Sequence, residues 1–156
     1  MTAKCLEIIT RLTVEIHKDD CTKEKLGSGV LYTNSKLLGL VYLLTARHCI
    51  SRLTAKEKVS LRLYNPCSGV YEYVTPVKQK IMLHPVDDAG IIIFNLRELT
   101  SIVSDLPSVF VVDKNVRIDE AVTKGFPMAT LDQTSDKGES FLATLKMSYL
   151  QEIPSE

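Results

Sequence analysis

His48 is the residue in this chain best placed to do chemistry. Residues 43–50 read LLTARHCI, an apolar run that breaks at a polar cluster with the histidine just past its end. A histidine held by a rigid element, with its ring free at a cleft, can serve as a general base. On its own the position equally fits a histidine that merely ends a strand. A histidine base also needs a carboxylate that fixes the imidazole tautomer and stabilises the imidazolium. Residues 84–94, HPVDDAGIIIF, offer Asp87 and Asp88 at the start of a deeply apolar segment. An aspartate buried against such a strand is costly unless something pairs with it; the plainer alternative is that both cap a turn after Pro85. His17, beside Lys18, Asp19 and Asp20, reads as a solvated edge residue, and His84, before Pro85, as a loop residue. The four cysteines, Cys5, Cys21, Cys49 and Cys67, form no C-x-x-C pair. Neither a metal site nor a cofactor is expected.

The elements that would carry these residues read mostly as strands. Residues 8–16 are rich in β-branched side chains and read as a first strand, followed by a polar turn at 19–25. A strand follows Gly27-Ser28-Gly29 at 30–32, with a turn at 33–36. The apolar run 37–44 reads as a strand buried on both faces. Residues 58–64 alternate, with Val59, Leu61 and Leu63 on one face and Ser60 and Arg62 on the other, which predicts a half-buried strand. Further strands are expected at 70–74, 77–82 and 90–96, and 97–106 reads as a short helix or irregular connection. Short strands at 109–112 and 120–123 precede a breaker, GFP, at 125–127. A polar loop at 131–140 and a last strand at 141–150 complete the reading. Short strands with turn signals about every 8–12 residues indicate an all-β barrel or sandwich.

Bulk properties narrow the function. A chain of 156 residues that is 45% hydrophobic can build one domain with a real core. Nineteen basic residues balance nineteen acidic ones, so the basic footprint of a nucleic-acid partner is absent. No apolar run approaches the roughly 18–20 residues of a membrane span. Glu7, Arg11 and Glu15 interrupt the N-terminal apolar positions, so no signal peptide is read there. A cytoplasmic protein with reduced thiols is expected.

The order GSGVLY, LLTARHCI and, some 40 residues on, DDAGIIIF resembles the N-terminal half of trypsin-like (chymotrypsin-fold) serine peptidases. There a strand ending Thr-Ala-x-His-Cys carries the general base, and an aspartate opens a strand beginning small-large-large. The resemblance puts His48 on the base. It puts Asp88 on the orienting acid, since Gly90, Ile91 and Ile92 then take the small-large-large places; the register through Asp87 would set Gly90 where a large residue belongs. AVTKGFP at 121–127 resembles an early second-barrel strand of the bacterial intracellular branch. The likeness spans about residues 27 to 127. It implies a Greek-key β-barrel fold: a complete first barrel at about 8–105 and a partial second barrel at about 106–156, together one peptidase domain over 1–156. It implies cleavage of a protein or peptide substrate through an acyl-enzyme, with further domains of a longer chain as possible neighbours.

The resemblance stops at the nucleophile. After Gly125 the next glycine is Gly138, so no Gly-x-Ser-Gly can be built, and Gly138-Glu139-Ser140 is only a half-match. No cysteine lies in the second half. Losing a nucleophile typically costs about 10⁶ in rate, so ordinary triad catalysis is not expected of this chain alone. The leading expectation is a domain truncated before its serine. The alternatives are a catalytically inactive, protease-like interaction or regulatory module, and a serine supplied by a second chain. A chance motif match would leave His48 and Asp88 beyond about 6–7 Å, out of hydrogen-bond reach. About 26 residues precede GSG without the Ile-Val-Gly-Gly-like terminus of the secreted members. The place matching the disulfide partner of Cys49 is near Leu26, so the resemblance implies a buried free thiol at Cys49.

Overall fold

The computed structural model describes residues 3–33, 39–103, 105–109, 120–126 and 141–146. The chain opens not with a strand but with a helix, α1 (Ala3–Leu12), and strand β1 (Thr13–Lys18) begins only afterwards. The expected strand at 8–16 is therefore corrected over residues 8–12. Leu12 is buried and Ile8, four residues earlier on the same helix face, packs against the core. That burial outweighs the weak β preference of the isoleucines and threonine. Thr13 Oγ1 donates to the Ile9 carbonyl at 2.8 Å and so ties off the last helical turn.

Six further strands follow: β2 (Lys25–Tyr32), β3 (Leu40–Thr45), β4 (Val59–Asn65), β5 (Val70–Val74), β6 (Lys80–Leu83) and β7 (Gly90–Asn95). A short helical turn, α2 (Arg47–Ile50), leaves the end of β3, and a 3₁₀ turn (Leu96–Leu99) leaves β7. The seven strands form one antiparallel sheet in the order β5-β4-β1-β2-β3-β7-β6. Strands β8 (Glu120–Gly125) and β9 (Phe141–Lys146) form a separate antiparallel pair. The protein is thus mostly β, as its short strand patterns and regular turn signals indicate. The seven-stranded ladder is open, with β5 and β6 as its edges, rather than the closed first barrel expected. At the seam a side chain substitutes for a strand: Gln79 Oε1 accepts from the Val59 N–H at 3.0 Å, and its Nε2 donates to the Val59 carbonyl at 2.7 Å. The expected turn at 34–36, strand at 110–112, polar loop at 131–140 with Ser140, and residues 147–150 of the last strand lie outside the described residues.

One face of the sheet is the apolar core, with Val14, Ile16, Leu31, Leu43, Leu61 and Ile92 wholly buried. The run at 37–44 is not buried on both faces: β3 alternates, and Leu40 and Leu44 are exposed while Val41 and Leu43 point inward. β1 and β4, in contrast, are buried on both faces. Glu15, His17, Ser60 and Arg62, on the face away from Val14 and Leu61, are each less than a tenth exposed. His17 is therefore no solvated edge residue, and the polar side of β4 is not solvent-facing. The reason is a charge network covered by aromatic rings from distant segments. Glu15 holds Arg62 at 2.6 Å and Lys25 at 3.0 Å, with His17 Nε2 at 3.7 Å. Tyr71 stacks under the Arg62 guanidinium, and the buried Phe126 ring stands edge-on to Tyr71. Burial would push the Glu15 carboxyl up, but His17, Arg62 and Lys25 outweigh it and hold it at about 2.

Candidate active site

Sheet register brings the two candidate residues together. β3 pairs with β7 so that Leu43 faces Ile92, Leu44 faces Ile91 and Thr45 faces Gly90. His48 lies three residues past Thr45, and Asp88 two residues before Gly90. The pairing therefore sets both at one end of adjacent strands.

Bare backbone seats the turn that carries His48. Ile50 of α2 is buried against Gly90, where an added Cβ would lie 2.7 Å from Ile50 Cδ1. Cys49 lies against Gly27, where a Cβ would lie 2.5 Å from its Sγ. The first glycine of GSG and the glycine after DDA thus do the same work, leaving room for α2. Thr45 Oγ1 adds a 2.8 Å hydrogen bond to the Ser28 carbonyl. Ser28 Oγ in turn accepts from the Phe126 N–H at 2.9 Å, fastening that residue to the sheet.

The segment that carries Asp88, 84–89, is held from inside and outside. The His84 N–H donates to the Ala89 carbonyl at 2.8 Å. His84 Nδ1 accepts from the N–H groups of Asp87, at 2.8 Å, and Val86, at 3.3 Å. Arg47 Nη1 reaches over from α2 and donates to the carbonyls of His84 and Pro85, each at 3.1 Å. Nothing in the residue pattern marks His84 as a positioning residue. For Arg47 the sequence offers one signal, its place next to the candidate base.

Asp88, not Asp87, meets His48, and it does so twice. Its Oδ1 accepts from the His48 backbone N–H at 2.8 Å, and its Oδ2 lies 2.6 Å from His48 Nδ1. The backbone N–H foremost, then the imidazole, holds the Asp88 carboxyl below the usual aspartate range. An ionised carboxylate only accepts, so Nδ1 of a neutral ring carries the proton and Nε2 keeps its lone pair. Among the described residues no hydroxyl or thiol hydrogen-bonds that Nε2. The carboxylate is not buried as expected: the Asp88 side chain is 58% exposed and that of His48 73%. Direct N–H donors, rather than a dry pocket, keep Asp88 charged.

The remaining candidates lie elsewhere. His17 sits in the charge network, its Nδ1 donating to the Lys23 carbonyl at 3.0 Å. Cys21, Cys49 and Cys67 are free thiols; Cys49 is half-buried rather than buried, and Cys5, Cys21 and Cys67 are exposed. Among the described residues no group of three or more His, Cys, Asp or Glu is placed to hold a metal ion. None of the described helices is long and apolar enough to cross a membrane. Compared with known protein families, with curated proteins and with solved structures, the chain matches none. What the arrangement offers chemically is an oriented imidazole whose Nε2, bonded by no described hydroxyl or thiol, can take a proton from a group brought to it.

Proposed function

We propose that this chain carries the base-and-acid half of a trypsin-like serine endopeptidase. His48 takes the proton of a serine hydroxyl through Nε2 as the oxygen attacks a peptide carbonyl. Asp88 holds the ring and stabilises the imidazolium, which then protonates the leaving amine. The two-point grip of Asp88 on His48 is the observation that carries the reading. The strand order β4-β1-β2-β3 supports it as well, because 4-1-2-3 is the order of a Greek key. The nucleophile, oxyanion hole and specificity pocket are required from outside the described residues.

The test begins with the reading frame past Glu156. A Gly-x-Ser-Gly encoded there makes the endopeptidase reading specific. His48→Ala in the protein that includes it should then abolish cleavage of a casein substrate while leaving the circular dichroism spectrum unchanged. Undiminished cleavage would overturn the proposal. The inactive-module reading is favoured by one observation: among the described residues no hydroxyl or thiol hydrogen-bonds Nε2 of His48. A stop codon after Glu156, with no labelling of the purified chain by a fluorophosphonate probe, would decide for it.

A further inference from the structure

The open seam of the sheet forms a cleft of about 730 Å³ between β6 and the 51–58 segment. Its floor is apolar, made by Ile50, Leu53, Ile81 and Leu83. Its rim is basic: Lys56, Lys58, Lys78 and Lys80 all line it and all are exposed. None of these four has a carboxylate partner among the described residues. The one acid in the lining, Glu57, is already engaged with Lys18 at 2.6 Å and with the Thr54 N–H at 2.7 Å. Among the described residues the cleft therefore holds four ammonium groups without a carboxylate around an apolar base.

β6 itself has room for a partner. It pairs with β7 alone, so one row of its backbone N–H and C=O groups faces the seam without a strand among the described residues. Met82 and Leu83 on this edge are 47% and 40% exposed, and nearby Val77 is 64% exposed. An edge this apolar invites pairing, but a second copy of the chain would set lysines against lysines. Like charges oppose that union, whereas carboxylates would complete it.

We infer that this cleft docks an acidic, extended peptide segment, which adds to the sheet as a strand beside β6. Its main chain would meet the open backbone groups. Alternate side chains would then divide between the apolar floor and the lysine rim, as the two-residue period of a strand requires. The cleft borders the candidate active site through Ile50 of α2 and through Leu83, which precedes the 84–89 segment. Docking nevertheless needs neither His48 nor Asp88, so it stands or falls apart from the peptidase reading.

The probe is a fluorescein-labelled peptide alternating Glu and Val, followed by fluorescence anisotropy with the purified chain. The acidic peptide should bind, and a Lys-Val counterpart should not. Lys78→Glu/Lys80→Glu, exposed positions whose reversal leaves the core untouched, should weaken binding about tenfold or more, as should high salt. Proline in place of alternate valines should weaken it comparably, because proline cannot donate to a ladder. His48→Ala should bind as wild type does. Equal binding of the proline peptide, or of a single-stranded oligonucleotide that offers charge without a strand, would overturn the inference. So would an unaffected Lys78→Glu/Lys80→Glu variant, no binding of the acidic peptide at all, or a sedimenting dimer joined through β6.

Discussion

Replacing Glu15 with glutamine keeps the side-chain volume and removes a carboxylate from a buried cluster. Arg62 at 2.6 Å and Lys25 at 3.0 Å would then lose the carboxylate they share, in side chains less than a tenth exposed. Breaking a buried pair from one side costs about 3–5 kcal/mol, because the orphaned charge stays desolvated. The carboxyl itself gives an independent figure. A fall from the ordinary 4.5 to about 2 corresponds to about 3 kcal/mol of stabilisation. The sign follows from the direction: a depressed pKa stabilises the fold fully above the unfolded value. The contribution is lost as pH falls through the window from 4.5 toward about 2. Urea melts followed by far-UV circular dichroism, from neutral pH into acid, read both effects. At neutral pH the variant should be less stable by about 3–5 kcal/mol, and the gap should close in acid as wild-type Glu15 protonates. A further variant, Glu15→Leu/Lys25→Met/Arg62→Met, should recover most of the loss, since an apolar replacement of a whole buried ionic cluster is often neutral or better. A Glu15→Gln variant within about 0.5 kcal/mol of wild type at neutral pH, the range of an ordinary surface change, would refute the reasoning. So would a gap that stays constant into acid.

Gly90→Val should push Ile50 off its seat and cost about 1–3 kcal/mol by overpacking. The His48 amide should then lose hydrogen-exchange protection, and adding Ile50→Ala should cost less than the two single changes together. Nitrogen-15 NMR of the imidazoles should find neutral His48 protonated on Nδ1, facing Asp88, and neutral His84 protonated on Nε2, because its Nδ1 accepts from Asp87 and Val86. The His48 amide shift should titrate with Asp88 at an inflection below the ordinary aspartate value, its hydrogen bond present above that value and lost as pH falls through the lowered one. An inflection at or above the ordinary value would contradict the grip described.

The parts of the fold that could be read in advance are those whose burial follows from their own neighbours. Val59, Leu61 and Leu63 alternate and take the core face of β4, and the run GIIIF becomes β7. That His48 meets Asp88 rather than Asp87 was implied by the resemblance, whose register gives Gly90 the small place; the structure shows Ile50 packed there. What escaped depends on partners far along the chain. His17 and Arg62 look solvated beside their polar neighbours, yet Tyr73 packs on the first, and Tyr71, backed by Phe126, on the second. The helix at Ala3–Leu12 was hidden by β-branched residues whose choice is made by packing against the sheet. The open seam escaped because one amide, that of Gln79, occupies the place of a strand.

The ladder between β3 and β7 has a consequence in time as well as in space. Thr45 reaches Gly90 only after the whole intervening chain, with β4, β5 and β6 in it, has been closed into a loop. Such non-local pairings form late and slowly, since the entropy of closure precedes any reward from contact. His48 and Asp88 are therefore expected to meet only once that long loop has closed. A nascent chain halted before β7 presents its histidine without its acid, and the two-point grip on His48 becomes a marker that the sheet is complete.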